Sequence, residues 1–122
     1  MLRHFDIGGK SRPFTFNMGA LLEYEMRTGR LVIQDIQSCA HADTMSVRVM
    51  MDLMYSAFLA GCYEDGKEPD FDLRSVASWF GNIDQAMRFV QVLMQDLEES
   101  KDAGNAGAGP SKPKTAPQAQ AK

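Results

Sequence analysis

The sequence predicts an α+β protein that is mainly α, with an N-terminal β-hairpin, a small bundle of about four helices and a disordered C-terminal tail. Three observations lead to this fold class. Two short segments of alternating apolar and polar residues flank the pair Gly8-Gly9. Apolar residues then recur at helical spacing as far as residue 99. Residues 100–122 contain no aromatic residue and no Val, Leu or Ile.

The hairpin is predicted from residues 2–7 and 12–16, in which apolar and polar side chains alternate. The intervening "GGKS" supplies adjacent glycines, which readily take the positive φ angles of a tight hairpin turn. Pro13 has no N–H group. We therefore expect the second strand to lie at an edge, or to place Pro13 where no ladder hydrogen bond is needed.

The first helix is expected to begin after Asn17, because an Asn side chain can accept a backbone N–H of the first turn. It should end at Thr28-Gly29, since glycine suits the left-handed conformation that closes a helix. Residues 14–29 are therefore predicted to join the hairpin to a helix that is capped by Asn17. Its apolar stripe consists of Met18, Leu21, Leu22 and Met26.

The middle of the chain contains its strongest helical periodicity. The apolar run at residues 31–36 is compatible with a strand or with one turn of helix, and residues 38–46 read as a loop. Asp43, Thr44 or Ser46 can then cap an amphipathic helix from about Ser46 to Gly61. Its apolar positions are Val47, Met50, Met51, Met54, Tyr55, Phe58 and Cys62.

Two further helices are expected after a polar, acidic loop. Asp70 or Asp72 can cap a short helix from Leu73 to about Phe80. The last helix should run from Asn82 to about Glu99. Its main apolar stripe is Ile83, Met87, Val90, Met94 and Leu97, widened by Phe89, Val92 and Leu93.

Composition divides the chain into a folded domain, residues 1–99, and a disordered tail or linker, residues 100–122. The tail is dominated by Gly, Ala, Pro and Lys, and it has too few apolar side chains to offset the entropy of ordering it. The folded part has 9 Lys and Arg against 15 Asp and Glu, and the tail has 4 against 1. The net charge of −6 on the folded part argues against nucleic-acid binding.

Cysteine spacing and the length of apolar runs indicate the cellular compartment. The two cysteines, Cys39 and Cys62, lack the spacing of a disulfide scaffold or zinc site. The N-terminus has no apolar run typical of a signal peptide, and no apolar stretch approaches the ~20 residues of a membrane span. We expect a cytosolic protein in a reducing environment.

No arrangement of residues predicts catalysis, a cofactor or a metal site. His4 and His41 have no neighbouring ligand spacing, and the serines have no visible base partner. The acidic loop at residues 64–72 is the best metal candidate. It lacks the order of a calcium-binding loop and contains Pro69, so a solvated loop with a helix cap is the favoured interpretation. We expect a protein that is not an enzyme.

Methionine is unusually frequent, with nine residues in 122. Its flexible, polarizable side chain is over-used on binding surfaces that adapt to varied partners. For Met50, Met54 and Phe58 a core position is favoured. For four residues that widen the apolar faces of their helices, core and partner interface are equally open. These candidate partner-binding residues are Met51, Met87, Phe89 and Leu93.

The order of these features resembles the tail assembly chaperones of long-tailed bacteriophages. In that family a "G-G-K/E-x-x-x-F-x-F" hairpin leads to an "A-L-x-E-[FY]-x-x-x-T-G" helix. An "A-x-x-A-G" helix end, a "G-K-E-x-x-F" loop and a helix around a Trp follow. The match spans residues 5–97. The corresponding residues are Gly8-Gly9-Lys10, Phe14 and Phe16, Ala20-Leu21, Glu23-Tyr24, Thr28-Gly29, Ala57 to Gly61, Gly66-Lys67-Glu68, Phe71 and Trp79.

The resemblance implies a non-enzymatic role in the host bacterial cytoplasm. Such chaperones bind the long, helical, aggregation-prone tape-measure protein while the tail tube assembles, and they are absent from the mature virion. It also implies the tail tube protein and a frameshifted longer form of the chain as further partners, and a homo-oligomer. The alternative left open is a phage structural or connector protein that is retained in the virion.

Overall fold

The computed structural model describes residues 2–107, with side chains as far as Glu99. It confirms the predicted fold class: an antiparallel two-stranded hairpin is followed by helices, five rather than about four. The predicted disordered tail lies outside the described residues from residue 108 onward. The elements are β1 Arg3–Ile7, β2 Lys10–Phe14, α1 Met18–Thr28, α2 Val32–Ser38, α3 Val47–Asp65, α4 Leu73–Trp79 and α5 Ile83–Gly107.

The hairpin turns through two residues, Gly8 and Gly9, whose φ angles are +62° and +85°. Positive φ at both central residues is the geometry that matches the right-handed twist of the strands. The turn sets Ile7 opposite Lys10 and His4 opposite Pro13. Hydrogen-bonded and non-hydrogen-bonded pairs alternate from the turn, so Pro13 occupies a non-hydrogen-bonded pair and its missing N–H removes no ladder bond.

The second strand packs tightly against α3. The backbone N–H of Thr15 donates to the carbonyl of Ala57 at 3.2 Å. At Gly61 the helix has no side chain, and the backbone of Pro13 and Phe14 occupies the place where a Cβ would be. This close approach fixes the hairpin on the long helix.

The first helix begins and ends as predicted, and most of its apolar stripe is exposed. The side chain of Asn17 accepts the N–H of Ala20 at 3.2 Å, and Gly29 is left-handed with φ +72°. The buried face is Ala20, Leu21 and Tyr24. Of the apolar stripe predicted from sequence, only Leu21 is buried, and Met18, Leu22 and Met26 are exposed.

The long helix α3 is the centre of the domain and is buried on almost every side. Of the three capping residues considered, Ser46 accepts the N–H of Val49 at 3.3 Å. The helix continues past its predicted end at Gly61 because the left-handed residue that closes it is Gly66. The ambiguous run before the loop is helical and forms α2.

The last two helices differ from the sequence prediction mainly in their buried faces. Asp72 caps α4, accepting the N–H of Ser75 at 2.8 Å. In α5 the backbone continues to Gly107, past the expected end near Glu99, since the first proline of the tail is Pro110. The fully or nearly buried residues of α5 are Ala86, Phe89, Val90, Leu93 and Asp96, whereas Ile83 is exposed and Met87, Met94 and Leu97 are half-buried.

Aromatic side chains fill the space between the hairpin and the helices. The rings of Phe58 and Phe89 stack with centroids 5.3 Å apart, and Phe14 meets both edge-on. The guanidinium of Arg12 lies 4.1 Å from the ring centroid of Trp79, a cation–π contact beside the turn. The core therefore joins β2, α3, α4 and α5 in one cluster.

Buried carboxylates link the remaining elements. Asp52 of α3 accepts hydrogen bonds from Arg27 at 3.0 Å and from Arg30 at 2.7 Å. Asp96 of α5 accepts the backbone N–H of Phe16 and the Nε–H of Arg3, both at 2.7 Å. Each carboxylate has charge-assisted partners, which is the condition for a buried charge to be tolerated.

Candidate partner-binding surfaces

Three of the four residues proposed from sequence as a partner surface are buried in the structure. Phe89 and Leu93 are 2% and 0% exposed, and Met51 is buried at 7%. Only Met87 is half-buried. A side chain without accessible surface cannot contact a partner while the domain stays closed. Met51, Phe89 and Leu93 therefore belong to the hydrophobic core.

Met87 instead lines a groove formed by α2, the following loop, α3 and α5. The groove has a volume of about 410 Å³. Four of the nine methionines line it, and we call it the methionine groove. Met50 is its buried floor, and the other three are half-buried. The methionines are Met45, Met50, Met87 and Met94, joined by Ile36, Cys39 and Val90.

The groove has the chemistry of an adaptable apolar site. Its walls are thioether and aliphatic groups, and its polar neighbours are the uncharged amides of Gln37 and Gln91. Unbranched methionine side chains can change rotamer to fit differently shaped apolar groups. The volume admits several side chains of an amphipathic helix laid along the groove, but it does not enclose a whole helix.

A second apolar surface lies on the outward face of α1. Met18, Leu22 and Met26 follow one another at intervals of four residues and are 76%, 60% and 76% exposed. We call them the α1 stripe. Residues at this spacing share one face of a helix. The stripe is convex, since it stands on the side opposite the buried residue Tyr24.

A third apolar surface borders the outer edge of β1. A cavity of about 450 Å³ lies between this strand and the residues around α4 and α5. Phe5, Ile7, Phe80 and Val92 line it and are half-buried. We call it the edge cavity. Its apolar walls lie next to the backbone of β1, which within residues 2–107 pairs with β2 on one side only.

The polar and nucleophilic candidates lie apart from one another. Both cysteines are free, and burial raises the pKa of the Cys39 and Cys62 thiols, which disfavours the reactive thiolate. His4 and His41 are exposed. Among residues 2–99 no group of three or more His, Cys, Asp or Glu side chains is placed to hold a metal ion.

Some residues of the sequence pattern described above lie close together around the hairpin turn. Gly8 lies against the indole of Trp79, where a Cβ would come within 3.0 Å of the ring. Lys10 pairs with Asp70 at 2.7 Å, and Phe71 packs edge-on against Trp79. Pattern elements far apart in sequence thus meet around the hairpin turn, where they serve as scaffold.

Sequence reasoning missed two features of these surfaces. It treated Met94 only as part of a buried stripe, and it did not connect Met45 to the last helix. One signal was present, since Met45 is the only large apolar residue between Cys39 and Ser46. Nothing in the sequence indicated that the α1 stripe is exposed. The stripe lies next to the apolar residues Leu21 and Tyr24, and periodicity alone does not show which of the two sets faces the core.

Comparison of the chain with models of known protein families, with curated proteins and with solved structures found no match. Among residues 2–107, no helix combines the length and the apolar character needed to cross a membrane.

Proposed function

We propose that the protein is a bacteriophage tail assembly chaperone that binds the tape-measure protein and keeps it soluble while the tail tube assembles. The observation that carries this proposal is the methionine groove, an adaptable apolar site on a small domain. The client segment it fits is an amphipathic helix. Apolar side chains of the client at intervals of three and four residues would enter the groove beside Met87 and Met94.

The charge of the domain supports a solubilising role. Residues 1–99 have a net charge of −6. Once the groove covers apolar side chains of the client, the complex presents this acidic surface to water. Like-charged complexes repel one another, which opposes aggregation. The proposed site of action is the host bacterial cytoplasm.

The packing of the pattern residues supports the family resemblance on which the proposal rests. Trp79 contacts both Gly8 and Phe71 beside the hairpin turn. The guanidinium of Arg12 lies over the rings of Phe71 and Trp79. A pattern with these packing requirements is expected to persist among proteins that share this scaffold. The tail tube protein and a frameshifted longer form of the chain remain proposed partners on the same ground.

Co-expression with the tape-measure protein of the same phage tests the proposal. The tape-measure protein should aggregate when expressed alone, and it should become soluble and co-purify with the chaperone when both are present. Light scattering measures the aggregate, and pull-down measures the complex. Mass spectrometry of purified virions should detect the tape-measure protein but not the chaperone. A chain retained in virions that leaves the tape-measure protein insoluble would instead be a structural or connector protein.

A further inference from the structure

We propose that two copies of the chain join through their β1 strands, antiparallel and centred on Phe5, so that His4 of each copy faces Asp6 of the other. The result is a four-stranded sheet across a twofold axis. This inference is independent of the proposed client and of the methionine groove. It follows from the hairpin register, from the polar side chains on the free edge and from the edge cavity.

The register identifies which backbone groups of β1 are free. Ile7 and Lys10 flank the two-residue turn and form a hydrogen-bonded pair, so Phe5 and Arg3 also bond to β2. His4 and Asp6 form the intervening pairs, and their N–H and C=O groups point away from β2. Because β1 pairs with β2 alone among the described residues, these four groups form an unpaired strand edge.

The edge is complementary to itself in one antiparallel register. When two β1 strands pair about Phe5, His4 stands opposite Asp6 of the second copy, and Asp6 stands opposite His4. These are the residues whose backbone groups point outward, so each pair can exchange two backbone hydrogen bonds. Both side chains are exposed on the same face of the strand. An imidazole N–H can donate to a carboxylate at the directly facing position, and such polar cross-strand pairs stabilise a strand pair.

The apolar face of the same strand is only partly covered by the rest of the domain. Phe5 and Ile7 point toward the helices and are only half-buried, next to the open edge cavity of about 450 Å³. In the proposed register Phe5 lies opposite Phe5 of the second copy. The added strand therefore extends the apolar layer across the edge cavity. A second copy covers apolar surface as well as satisfying the backbone.

Helix α5 contacts the apolar face of the hairpin, whereas His4 and Asp6 on the other face of β1 are exposed. Phe89 contacts Phe5 of β1 at a centroid distance of 4.7 Å and Phe14 of β2 at 5.1 Å. Asp96 likewise binds Arg3 and the N–H of Phe16. Helix α5 therefore packs against the inner face of the hairpin, on the side opposite His4 and Asp6.

Charge exchange on the exposed edge tests the proposal with the full-length chain. Sedimentation equilibrium over a concentration series should give a reversible dimer. Asp6→Lys places a cation opposite His4, and His4→Glu places two acidic groups opposite each other. Each single variant should raise the dissociation constant about tenfold, since two pairs are changed per dimer. The double variant H4E/D6K again places complementary groups, a carboxylate and an ammonium, at the facing positions and should return the dissociation constant to near the original or below it.

A backbone variant separates strand pairing from surface charge. Asp6→Pro removes one outward N–H without removing a bond to β2, so it should abolish the dimer while circular dichroism and the unfolding temperature stay near those of the original chain. A chain that stays monomeric up to millimolar concentration would overturn the proposal. So would a dimer that Asp6→Pro leaves intact, or one whose strength the double variant fails to restore.

Discussion

Gly61 of α3 lies directly against the backbone of Phe14 in β2. A Cβ built on Gly61 would stand closer than 3.0 Å to the Cα and N atoms of Phe14. Neither atom belongs to a flexible side chain that could turn aside. The hairpin can lie on the long helix at this distance only because position 61 has no side chain. The hairpin in turn carries the free edge of β1 and one wall of the edge cavity.

We expect Gly61→Ala to destabilise the domain by about 3 kcal/mol, because the strand or the helix must shift to admit a methyl group. For a folded part of this size, the unfolding temperature should fall by more than roughly 10 °C. Thermal unfolding followed by circular dichroism measures the change. Gly81→Ala is the matched control, since only the flexible Gln85 side chain is nearby, and it should stay within about 0.5 kcal/mol. Equal losses in the two variants would refute the close-packing account.

The carboxylate of Asp96 should matter more than its neighbour Glu99. Asp96→Ala leaves the buried N–H of Phe16 without an acceptor and removes one partner of Arg3. We expect a loss of about 2–4 kcal/mol in the free energy of unfolding, measured in urea. Glu99→Gln is the control, because Glu99 binds the same Arg3 at an exposed position and should lose less than about 1 kcal/mol. Similar losses in both variants would contradict a structural role for Asp96.

Asp70 should contribute a small pH-dependent term to stability. Hydrogen bonds from Lys10 and Arg12 lower its pKa to about 2. A carboxyl pKa that is lower in the folded than in the unfolded chain adds stability above pH 4 and loses it as the pH falls toward 2. The gain should be below about 1 kcal/mol, because Asp70 is half exposed and solvent screens the pairs.

The pH dependence can be isolated by comparing the original chain with Asp70→Asn in urea at pH 5 and at pH 2.5. The difference in stability between the two proteins should shrink at the lower pH. A difference that is constant, or that grows on acidification, would show that the ion pairs with Lys10 and Arg12 do not stabilise the fold.

Local signals in the sequence predicted several of the element boundaries. Asn17 and Gly29 close α1 as expected, because capping depends on groups within one turn of the helix end. The hairpin turn at Gly8-Gly9 was predicted correctly for the same reason. The end of α3 was misplaced, since Gly61 accommodates a neighbouring strand while Gly66 ends the helix. A sequence does not distinguish these two uses of glycine.

The orientation of the helices could not be predicted from apolar periodicity. In α1 the buried face includes Tyr24, whose hydroxyl bonds Asp35, and it excludes Met26. In α5 the buried face includes Asp96, a residue that no hydrophobic pattern would place in a core. Long-range polar contacts select one of two adjacent stripes, and such contacts become visible only when the elements are brought together.

The candidate site was predicted in character but not in position. The abundance of methionine indicated an adaptable apolar surface, and Met87 lies in the methionine groove. Met51, Phe89 and Leu93 do not, because they pack toward the interior. The groove depends on Met45 and Met94 meeting across a loop and a helix, a relation between distant segments.

The central claim is that the methionine groove binds an apolar helical segment of the tape-measure protein. Isothermal titration of such a segment into the original chain and into the double variant M87Q/M94Q tests it most directly. Glutamine has nearly the shape of methionine but adds a polar amide that would have to be buried on binding. Met26→Gln on the exposed α1 stripe is the control, and all chains should unfold at similar temperatures. We expect the double variant to bind at least about tenfold more weakly and Met26→Gln to bind normally. Unchanged affinity in the double variant, or a loss confined to Met26→Gln, would contradict the claim.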